Sequence, residues 1–361
     1  MKICFLAGTN SIHSHRWANY FSDADHEIHL ISFAPTVQPV KKGIYYKEII
    51  SRLPKPLNFL ELIISARKAI KEIKPDVLHA HSAGIYGFAA VFTGFHPFVL
   101  TAWGTDILLN PRDLLKRPMI KLILKTADLI TCDGDNTTEA MVNLGAAPEK
   151  IKRILFGTDV KKFKPTTNNK QLKTKNKKIR IISLRSLEPI YDIETLIKAA
   201  AIVVKTTPEI KFIIAGDGEQ REYLTQLAEN FGLLPQYLEF TGRYKNENLP
   251  QMLNNADIYV STSLSDSGLA ASTAEAMASG LPVIVSDSGD NKKWVDDGKG
   301  GFVIPCGDYQ ALAEKLIYLL KNPAKRKSFG KHNRKIIEEK NNYYREMEKM
   351  EKLYEKITKE N

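Results

Sequence analysis

The sequence is poor in cysteine and has no long hydrophobic run. Its three cysteines, Cys4, Cys132 and Cys306, lie far apart and form no CxxC pair, which argues against a disulfide framework and against a zinc site. Apolar runs stay far shorter than the roughly eighteen residues that a membrane-spanning helix needs. The first of them, residues 3–7, is also too short for the core of a signal peptide. We therefore expect reduced thiols and a cytoplasmic protein.

The length of the chain favours two domains. At 361 residues it exceeds the roughly 250–300 residues at which single cores stop growing. The net charge is +11, and residues 1–165 carry 22 Lys and Arg against 15 Asp and Glu. Nucleic acid, an acidic lipid surface or an anionic substrate could each use this excess, and an ordinary solvated surface rich in lysine would explain it equally well. We expect no nucleic-acid partner.

Short apolar runs alternate with helical patterns along the chain. KICFLAG, EIHLISF, DVLHAH and PFVLTAW predict buried strands, and the segments between them have apolar residues at helical spacing. This alternation predicts an α/β fold with a parallel sheet covered on both faces. A polar, lysine-rich stretch interrupts it, and strands such as IRIISLR, KFIIAGDGE and DIYVSTS follow. We predict Rossmann-like domains over 1–160 and 179–335, a linker over 161–178, and a helix over 336–361 that packs back on the first domain.

The segment STSLSDSGLAASTAEAMASGLPVIVSD is the most informative part of the sequence. A strand leads through a small-residue turn into a helix that ends at Gly280. The small residues Gly268, Ala270 and Ala271 leave backbone N–H groups uncovered at the helix start, where a phosphate or a sugar hydroxyl can bind. Glu275 is the single ionisable residue between Asp266 and Asp287. A small-residue helix packed closely on a sheet would explain the same pattern equally well.

This segment resembles the E-x7-E region of family 4 glycosyltransferases. Their GT-B fold has two Rossmann-like domains that face each other across a cleft. EAMASGLPV matches the second half of the motif, and five further pieces follow the family's order: KICFLAG, FGTDVKKFKP, AGDGE, NNADIYVSTS and WVDDGKGGFVIPCGD. The resemblance therefore extends over nearly the whole chain.

The resemblance implies a retaining, metal-independent sugar transfer without a cofactor. The N-terminal domain would bind a saccharide or lipid-linked acceptor, and the C-terminal domain a UDP- or GDP-type nucleotide-sugar donor. Glu275 would hold the ribose hydroxyls, and backbone groups of residues 268–271 would meet the donor sugar or its diphosphate. The other implied donor-binding residues are Gly8, Gly216, Asp266, Ser267, Gly268, Leu269 and Ala270.

Two departures from the family pattern affect the donor side. Ser267 occupies the position of the first Glu of E-x7-E, and the neighbouring Asp266 could supply the carboxylate. In SLRSLEPIYD, Arg185 lies one place before the family's arginine, and Tyr191 stands where the family has lysine. We expect Arg185 to bind the diphosphate, because a guanidinium suits planar anion recognition, with Arg243 as a second candidate. A surface ion pair would be the structural alternative for Arg185.

A third departure lies in the N-terminal half. Trp103 replaces the histidine of the family's T-x-H-G motif. His81 matches the family's H-x-H position near the sugar, and Asp106 is a candidate for acceptor contact. We thus expect His81, Asp106 and Arg185 to act in catalysis, although a histidine at a strand end is often structural.

Two other patterns have ordinary explanations. Asp133-Gly134-Asp135 spells a metal-binding D-x-D motif, but it lies between a strand and a helix, where a helix cap explains it better. We expect no metal site. The stretch NPRDLLKRPMIKLILKTADLI could be a basic amphipathic helix on the inner face of the cell membrane. A packed helix with a lysine-rich outer face is the alternative.

Three other functions compete with sugar transfer. A nucleotide-sugar epimerase could use a similar two-domain fold and would need no acceptor. A nicotinamide dehydrogenase is disfavoured because AGDGEQ lacks the third glycine of G-x-G-x-x-G. A non-catalytic protein that binds sugar nucleotides would fit the altered motif positions.

Overall fold

The computed structural model describes residues 1–51, 53–54, 58–166, 178–266 and 268–360. They form two compact units, Met1–Phe156 with Tyr344–Asn361, and Gly157–Tyr343. The first stretch of the first unit ends at Phe156, four residues before the predicted limit at 160. The chain then pairs within the second unit, because the N–H of Thr158 donates to the Asn341 carbonyl and the N–H of Tyr343 donates to the Thr158 carbonyl. Most of the predicted linker, residues 167–177, lies outside the described residues.

The first unit contains one parallel sheet of seven strands, in the order β3-β2-β1-β4-β5-β6-β7. Strands β1, β4, β5 and β6 are buried almost throughout, as expected for a sheet with both faces covered. The strands are β1 (Lys2–Leu6), β2 (Glu27–Ser32), β3 (Tyr45–Glu48), β4 (Val77–His81), β5 (Phe98–Thr101), β6 (Leu129–Cys132) and β7 (Ile151–Arg153).

Six α-helices lie between these strands in the chain, and the C-terminal α-helix belongs to the same unit. They are α1 (Ile12–Asp23), α2 (Asn58–Ile73), α3 (Ile85–Thr93), α4 (Thr105–Leu108), α5 (Lys116–Thr126), α6 (Asp135–Asn143) and the C-terminal α14 (Tyr343–Glu360). The predicted tail over 336–361 is divided, because its first residues continue a helix of the second unit. Helix α14 packs on the first unit: the hydroxyl of Tyr354 lies 2.5 Å from Nδ1 of His79, and the Glu346 carboxylate accepts from the N–H of Leu155.

The second unit contains a parallel sheet of six strands, in the order β10-β9-β8-β11-β12-β13. The strands are β8 (Ile179–Ser183), β9 (Ile210–Ile214), β10 (Leu238–Phe240), β11 (Ile258–Ser261), β12 (Val283–Ser286) and β13 (Gly301–Ile304). The helices are α7 (Ile193–Thr206), α8 (Arg221–Asn230), α9 (Leu249–Asn254), α10 (Ala271–Ala278), α11 (Asn291–Trp294), α12 (Tyr309–Lys321) and α13 (Pro323–Lys340). Gly280 follows α10 with φ +76°, as the sequence predicts for the helix end.

The two sheets share one topology, so the predicted α/β class with two Rossmann-like units is confirmed. In each unit the strand order reverses next to the first strand, between β1 and β4 and between β8 and β11. In open α/β sheets, ligands bind at the carboxyl ends of strands beside such a reversal. Among the described residues, none of the helices is both long and apolar enough to cross a membrane.

Candidate functional site

An ion pair lies at the strand reversal of the second unit. Arg185 follows β8 and Asp266 follows β11, and Nη2 of Arg185 lies 2.5 Å from Oδ1 of Asp266. The Arg185 side chain is 10% exposed and that of Asp266 is 9% exposed. The second carboxylate oxygen of Asp266 accepts a long hydrogen bond, 3.5 Å, from the hydroxyl of Ser288. The structure thus brings two predicted donor-binding residues together.

The ring of Tyr191 packs against the guanidinium of Arg185. The guanidinium carbon lies 4.2 Å from the centre of the Tyr191 ring, in cation–π geometry. The Tyr191 carbonyl accepts from the hydroxyl of Thr262, and the N–H of Leu264 donates to the Ile190 carbonyl. These bonds tie the loop after β8 to the loop after β11. A ring at the family's lysine position therefore orients the arginine instead of adding a second cation.

The guanidinium keeps unused hydrogen-bonding capacity. Nη2 also lies 3.4 Å from the hydroxyl of Ser263, but none of the described residues provides Nε of Arg185 with a hydrogen-bond partner. A buried N–H without a partner is costly, and an anion bound at this edge would satisfy it.

Glu275 lies on α10 and is half-buried. Its charge affects Tyr244: burial, followed by the nearby Glu275 carboxylate, raises the pKa of Tyr244 to about 12, and the Arg185 charge partly opposes this shift. Tyr244, Glu275 and Arg185 therefore share one electrostatic environment. Sequence reasoning selected Arg243, which is exposed, and missed the half-buried Tyr244 beside it. Tyr244 could have been selected from its place in the chain, because it follows β10 and therefore lies at the carboxyl edge of the sheet, like Arg185 and Asp266.

Glycines allow the loops of this site to approach one another. A side chain on Gly216 would clash with the Arg185 carbonyl, so Gly216 serves the packing of the Arg185 loop. Gly289 has φ +54°, and a Cβ there would lie 2.6 Å from the Asp266 carbonyl and 2.8 Å from that of Gly268. Both positions therefore require glycine for close backbone approach.

The turn before α10 is partly exposed at Gly268, Leu269 and Ala270. Ala270 is the N-cap residue and provides no side-chain hydrogen bond to the helix, so the first N–H groups of α10 can serve an anion. Ser267, at the position of the family's first Glu, lies outside the described residues.

In the first unit, His81 is buried in an aromatic box. Its ring centre lies 5.2 Å from those of Trp17 and Trp103 and 5.4 Å from that of Phe5. Neither ring nitrogen has a hydrogen-bond partner among the described residues. Burial, with a smaller contribution from the charge of His13, lowers the pKa of His81 to about 3. The ring is therefore neutral, and its predicted catalytic role stays a prediction.

Asp106 is buried and joins two loops. Its carboxylate accepts from the N–H of Ala83 at 2.7 Å and from the N–H of Trp103 at 3.0 Å. Burial raises its pKa, and these backbone bonds oppose the shift. The carboxylate thus positions Trp103, while its predicted contact with the acceptor stays untested.

An aromatic cluster lies at the strand ends of the first unit. Trp103 stacks on Phe156 with ring centres 4.7 Å apart, and His13 lies 4.7 Å from the same Phe156 ring. Sequence reasoning did not select His13 or Phe156, which are far from Trp103 in the chain. Gly8, a predicted donor-binding residue, follows β1, and its carbonyl accepts from the N–H of Ser11.

Both aspartates of the D-x-D motif contact Arg153. Nη1 of Arg153 lies 3.1 Å from Oδ1 of Asp135, and Nε of Arg153 donates to the Asp133 carbonyl. The predicted helix cap is wrong, because Gly134 is the N-cap of α6 and makes no side-chain cap bond. Asp135 instead places a negative charge in the first turn of the helix, where it interacts favourably with the helix dipole. Within the described residues, no cluster of three or more metal-ligating side chains occurs.

Comparison with known proteins supports the same family. Residues 2–134 match the glycosyl transferase 4-like family, and residues 165–336 match glycosyl transferases group 1. An uncharacterised glycosyltransferase of Methanocaldococcus jannaschii is 27% identical over 66% of this chain and 60% of its own length. The Escherichia coli UDP-Gal:alpha-D-GlcNAc-diphosphoundecaprenol alpha-1,3-galactosyltransferase is 28% identical over 72% of this chain and 70% of its own length.

Solved structures share the fold. A glycosyltransferase from Rickettsia africae superposes with a TM-score of 0.82 and 18% identity over 100% of this chain and 99% of its own. The structure of Anabaena Alr3699/HepE in complex with UDP superposes with a TM-score of 0.80 and 20% identity, over 99% of this chain and 100% of its own. The two family matches together cover most of the sequence, and the chain therefore belongs to the family 4-like glycosyltransferases, with the GT-B fold.

Proposed function

We propose that the protein transfers a sugar from a nucleotide-sugar donor to an acceptor, with retention of configuration and without a metal ion. The observation that carries this proposal is the convergence of Arg185, Glu275 and Tyr244 at the strand reversal of the second unit. This unit would bind the donor, and the first unit would bind the acceptor.

Each part of the donor has a chemical counterpart at this site. The guanidinium of Arg185 and the uncapped N–H groups at the start of α10 suit a diphosphate. The Glu275 carboxylate has two acceptor oxygens, which suit the two hydroxyls of a ribose. The turn at 268–270 would meet the sugar or its diphosphate.

The transfer makes one bond and breaks one. An acceptor oxygen bonds to the anomeric carbon, the bond from that carbon to the diphosphate oxygen breaks, and the acceptor proton leaves with the diphosphate. Negative charge grows on the leaving group, and Arg185 with the α10 N-terminus would stabilise it. A fixed cation at the leaving group supports a reaction that does not depend on a divalent metal.

Relatives indicate the substrate classes. The Anabaena protein binds UDP, the Escherichia coli relative uses UDP-Gal with a diphosphoundecaprenol acceptor, and a Corynebacterium glutamicum relative is named GDP-mannose-dependent. We therefore propose a UDP- or GDP-type donor and a saccharide or lipid-linked acceptor. The proposed location is the cytoplasm, at the inner face of the cell membrane.

Calorimetric titration of UDP and GDP into the protein tests this function. We expect one of them to bind in the presence of EDTA, and an Arg185→Gln variant to bind it more weakly. Proton NMR of the product made with a matching sugar donor would then report the anomeric configuration. If neither nucleotide binds, the proposal is wrong. Binding followed by donor conversion without an acceptor would instead identify an epimerase.

A further inference from the structure

Two adjacent leucines protrude from the first unit before helix α5. Leu114 is 79% exposed and Leu115 is 89% exposed. Single exposed apolar residues are common on protein surfaces, but contiguous exposed patches mark interaction sites. Two further exposed leucines, Leu109 and Leu122, lie on either side of the pair in the chain.

The leucines are held outward by an ordered turn. The carboxylate of Asp113 accepts from the N–H of Leu115 at 2.9 Å, and the N–H groups of Lys116 and Arg117 donate to the Asp113 carbonyl. The Leu115 N–H, followed by the nearby Lys116, lowers the pKa of the Asp113 carboxyl, and desolvation opposes this shift. The opposite face of α5 is already used, because Ile120, Ile123 and Leu124 are buried in the core. The leucine pair is therefore not part of that core.

Basic residues lie on both sides of the leucine pair in the chain. Residues 109–125 contain five Lys and Arg against one acidic residue, Asp113, and all five cations are exposed. Of the five, only Lys116 pairs with a carboxylate of a described residue, at 3.3 Å. The basic residues are Arg112, Lys116, Arg117, Lys121 and Lys125.

Neighbouring helices extend the apolar surface. Helix α3 packs against both α2 and α5. The rings of Phe59 and Phe88 lie 6.4 Å apart, and those of Phe88 and Phe92 lie 4.8 Å apart. Phe59 and Phe92 are partly exposed, as are Leu60 and Ile64 on α2. Exposed apolar groups are thus present on three adjacent helices of the unit.

We propose that residues 109–125 form a docking surface for an anionic lipid bilayer, with Leu114 and Leu115 inserted between the lipid headgroups. Exposed apolar side chains interspersed with exposed cations along one segment match a membrane whose surface is negative and whose interior is apolar. A protein partner or a second copy would not require this excess of cations. The biological reason for docking rests on the proposed transfer to a lipid-linked acceptor, but lipid binding itself needs no substrate.

Co-sedimentation of the full chain with vesicles tests the surface. We expect binding to vesicles of phosphatidylcholine with phosphatidylglycerol, weaker binding to phosphatidylcholine alone, and release by salt. Leu114→Ser/Leu115→Ser should lower the partition coefficient by at least about tenfold. Arg117→Gln/Lys121→Gln should lower it by about fivefold per charge on the anionic vesicles.

Matched variants control for unrelated effects. Val37→Ser changes a residue that is 68% exposed elsewhere in the first unit, and Lys335→Gln/Lys356→Gln removes the same charge from other exposed positions. We expect these variants to bind vesicles like the parent protein. Circular dichroism melts verify that every variant is folded.

Three results would overturn the proposal. They are equal binding to both vesicle types, equal binding of the leucine variant and the parent, and self-association in sedimentation velocity that the leucine variant abolishes. Nucleotide titration of the leucine variant separates this proposal from the proposed function. Unchanged nucleotide affinity with lost vesicle binding supports both, whereas absent nucleotide binding in the parent contradicts the proposed function alone.

Discussion

Arg185 and Asp266 form an ion pair at the strand reversal of the second unit, with 2.5 Å between Nη2 and Oδ1. Both side chains are about nine-tenths buried. A diphosphate that binds Arg185 must therefore share the guanidinium with a carboxylate or displace it. We therefore expect Asp266 to influence the affinity for a diphosphate whether or not it touches the donor.

The first prediction concerns Asp266→Asn. The amide is neutral and leaves the guanidinium less well paired, so the free energy of unfolding should fall by about 1–3 kcal/mol. Affinity for the nucleoside diphosphate should rise severalfold, because the competing charge is gone. Thermal unfolding and calorimetric titration measure the two effects. A folded variant with lower affinity would show that Asp266 contacts the donor, as a replacement for the first Glu of E-x7-E.

The second prediction concerns Arg185→Ala. Loss of a charge-assisted contact to phosphate should weaken nucleoside diphosphate binding by about 1.5–3 kcal/mol. Arg243→Ala is the matched control, because Arg243 lies at the same sheet edge but is exposed, and its loss should have a smaller effect. Unchanged nucleoside diphosphate affinity in Arg185→Ala would remove Arg185 from the site, whereas equal losses in both variants would place Arg243 there as well.

The third prediction concerns Glu275→Gln. The amide keeps the shape but offers one acceptor oxygen instead of two. We expect a loss of about 1.5–3 kcal/mol in nucleoside diphosphate affinity, or roughly tenfold to a hundredfold. The melting temperature without ligand should hardly change. A fall in stability as large as the loss of affinity would show that Glu275 is structural.

The fourth prediction concerns acid unfolding of the first unit. Burial lowers the pKa of His81 to about 3 and that of His79 well below its ordinary value of 6.5. The unfolded chain therefore binds more protons than the folded one below about pH 6.5. Each histidine contributes stability that is fully present above that pH and is lost towards the folded pKa, at up to about 1.4 kcal/mol per pH unit.

Urea unfolding at pH 7, 6 and 5 measures this slope, with His81→Phe as the test variant. Phenylalanine suits an aromatic box and cannot titrate, so the slope between pH 6 and 5 should fall by about one proton. An unchanged slope in His81→Phe would contradict the assignment of a neutral, buried ring.

The fifth prediction is that EDTA leaves sugar transfer unchanged. The expected leaving-group stabilisers are Arg185 and the N-terminus of α10, neither of which needs a divalent ion. Initial rates with EDTA and with added manganese should agree. Loss of activity in EDTA and its return with manganese would refute this, and Asp133→Asn would then show whether the D-x-D segment is responsible.

The strands and the small-residue helix were predictable because their signals are local. Buried parallel strands need continuous apolar runs, and residues such as Gly280 mark helix ends through backbone conformation alone. The family motif identified Glu275 for the same reason, since its neighbours in the chain carry the pattern. Sequence alone therefore determined the α/β class, the two Rossmann-like units and the segment that holds the candidate donor site.

Only the tertiary structure decided which distant residues meet. Arg185 and Asp266 are 81 positions apart in the chain. Tyr244, which follows β10, comes close enough to Glu275 on α10 for the carboxylate to shift its pKa. The same holds in the first unit, where Trp103, Phe156 and His13 form one cluster, and where His81 is enclosed by rings from separate elements. Partners, burial and pKa depend on the crossover order of the strands. The strand order decides which loops are neighbours, and no local or periodic pattern in the sequence encodes it.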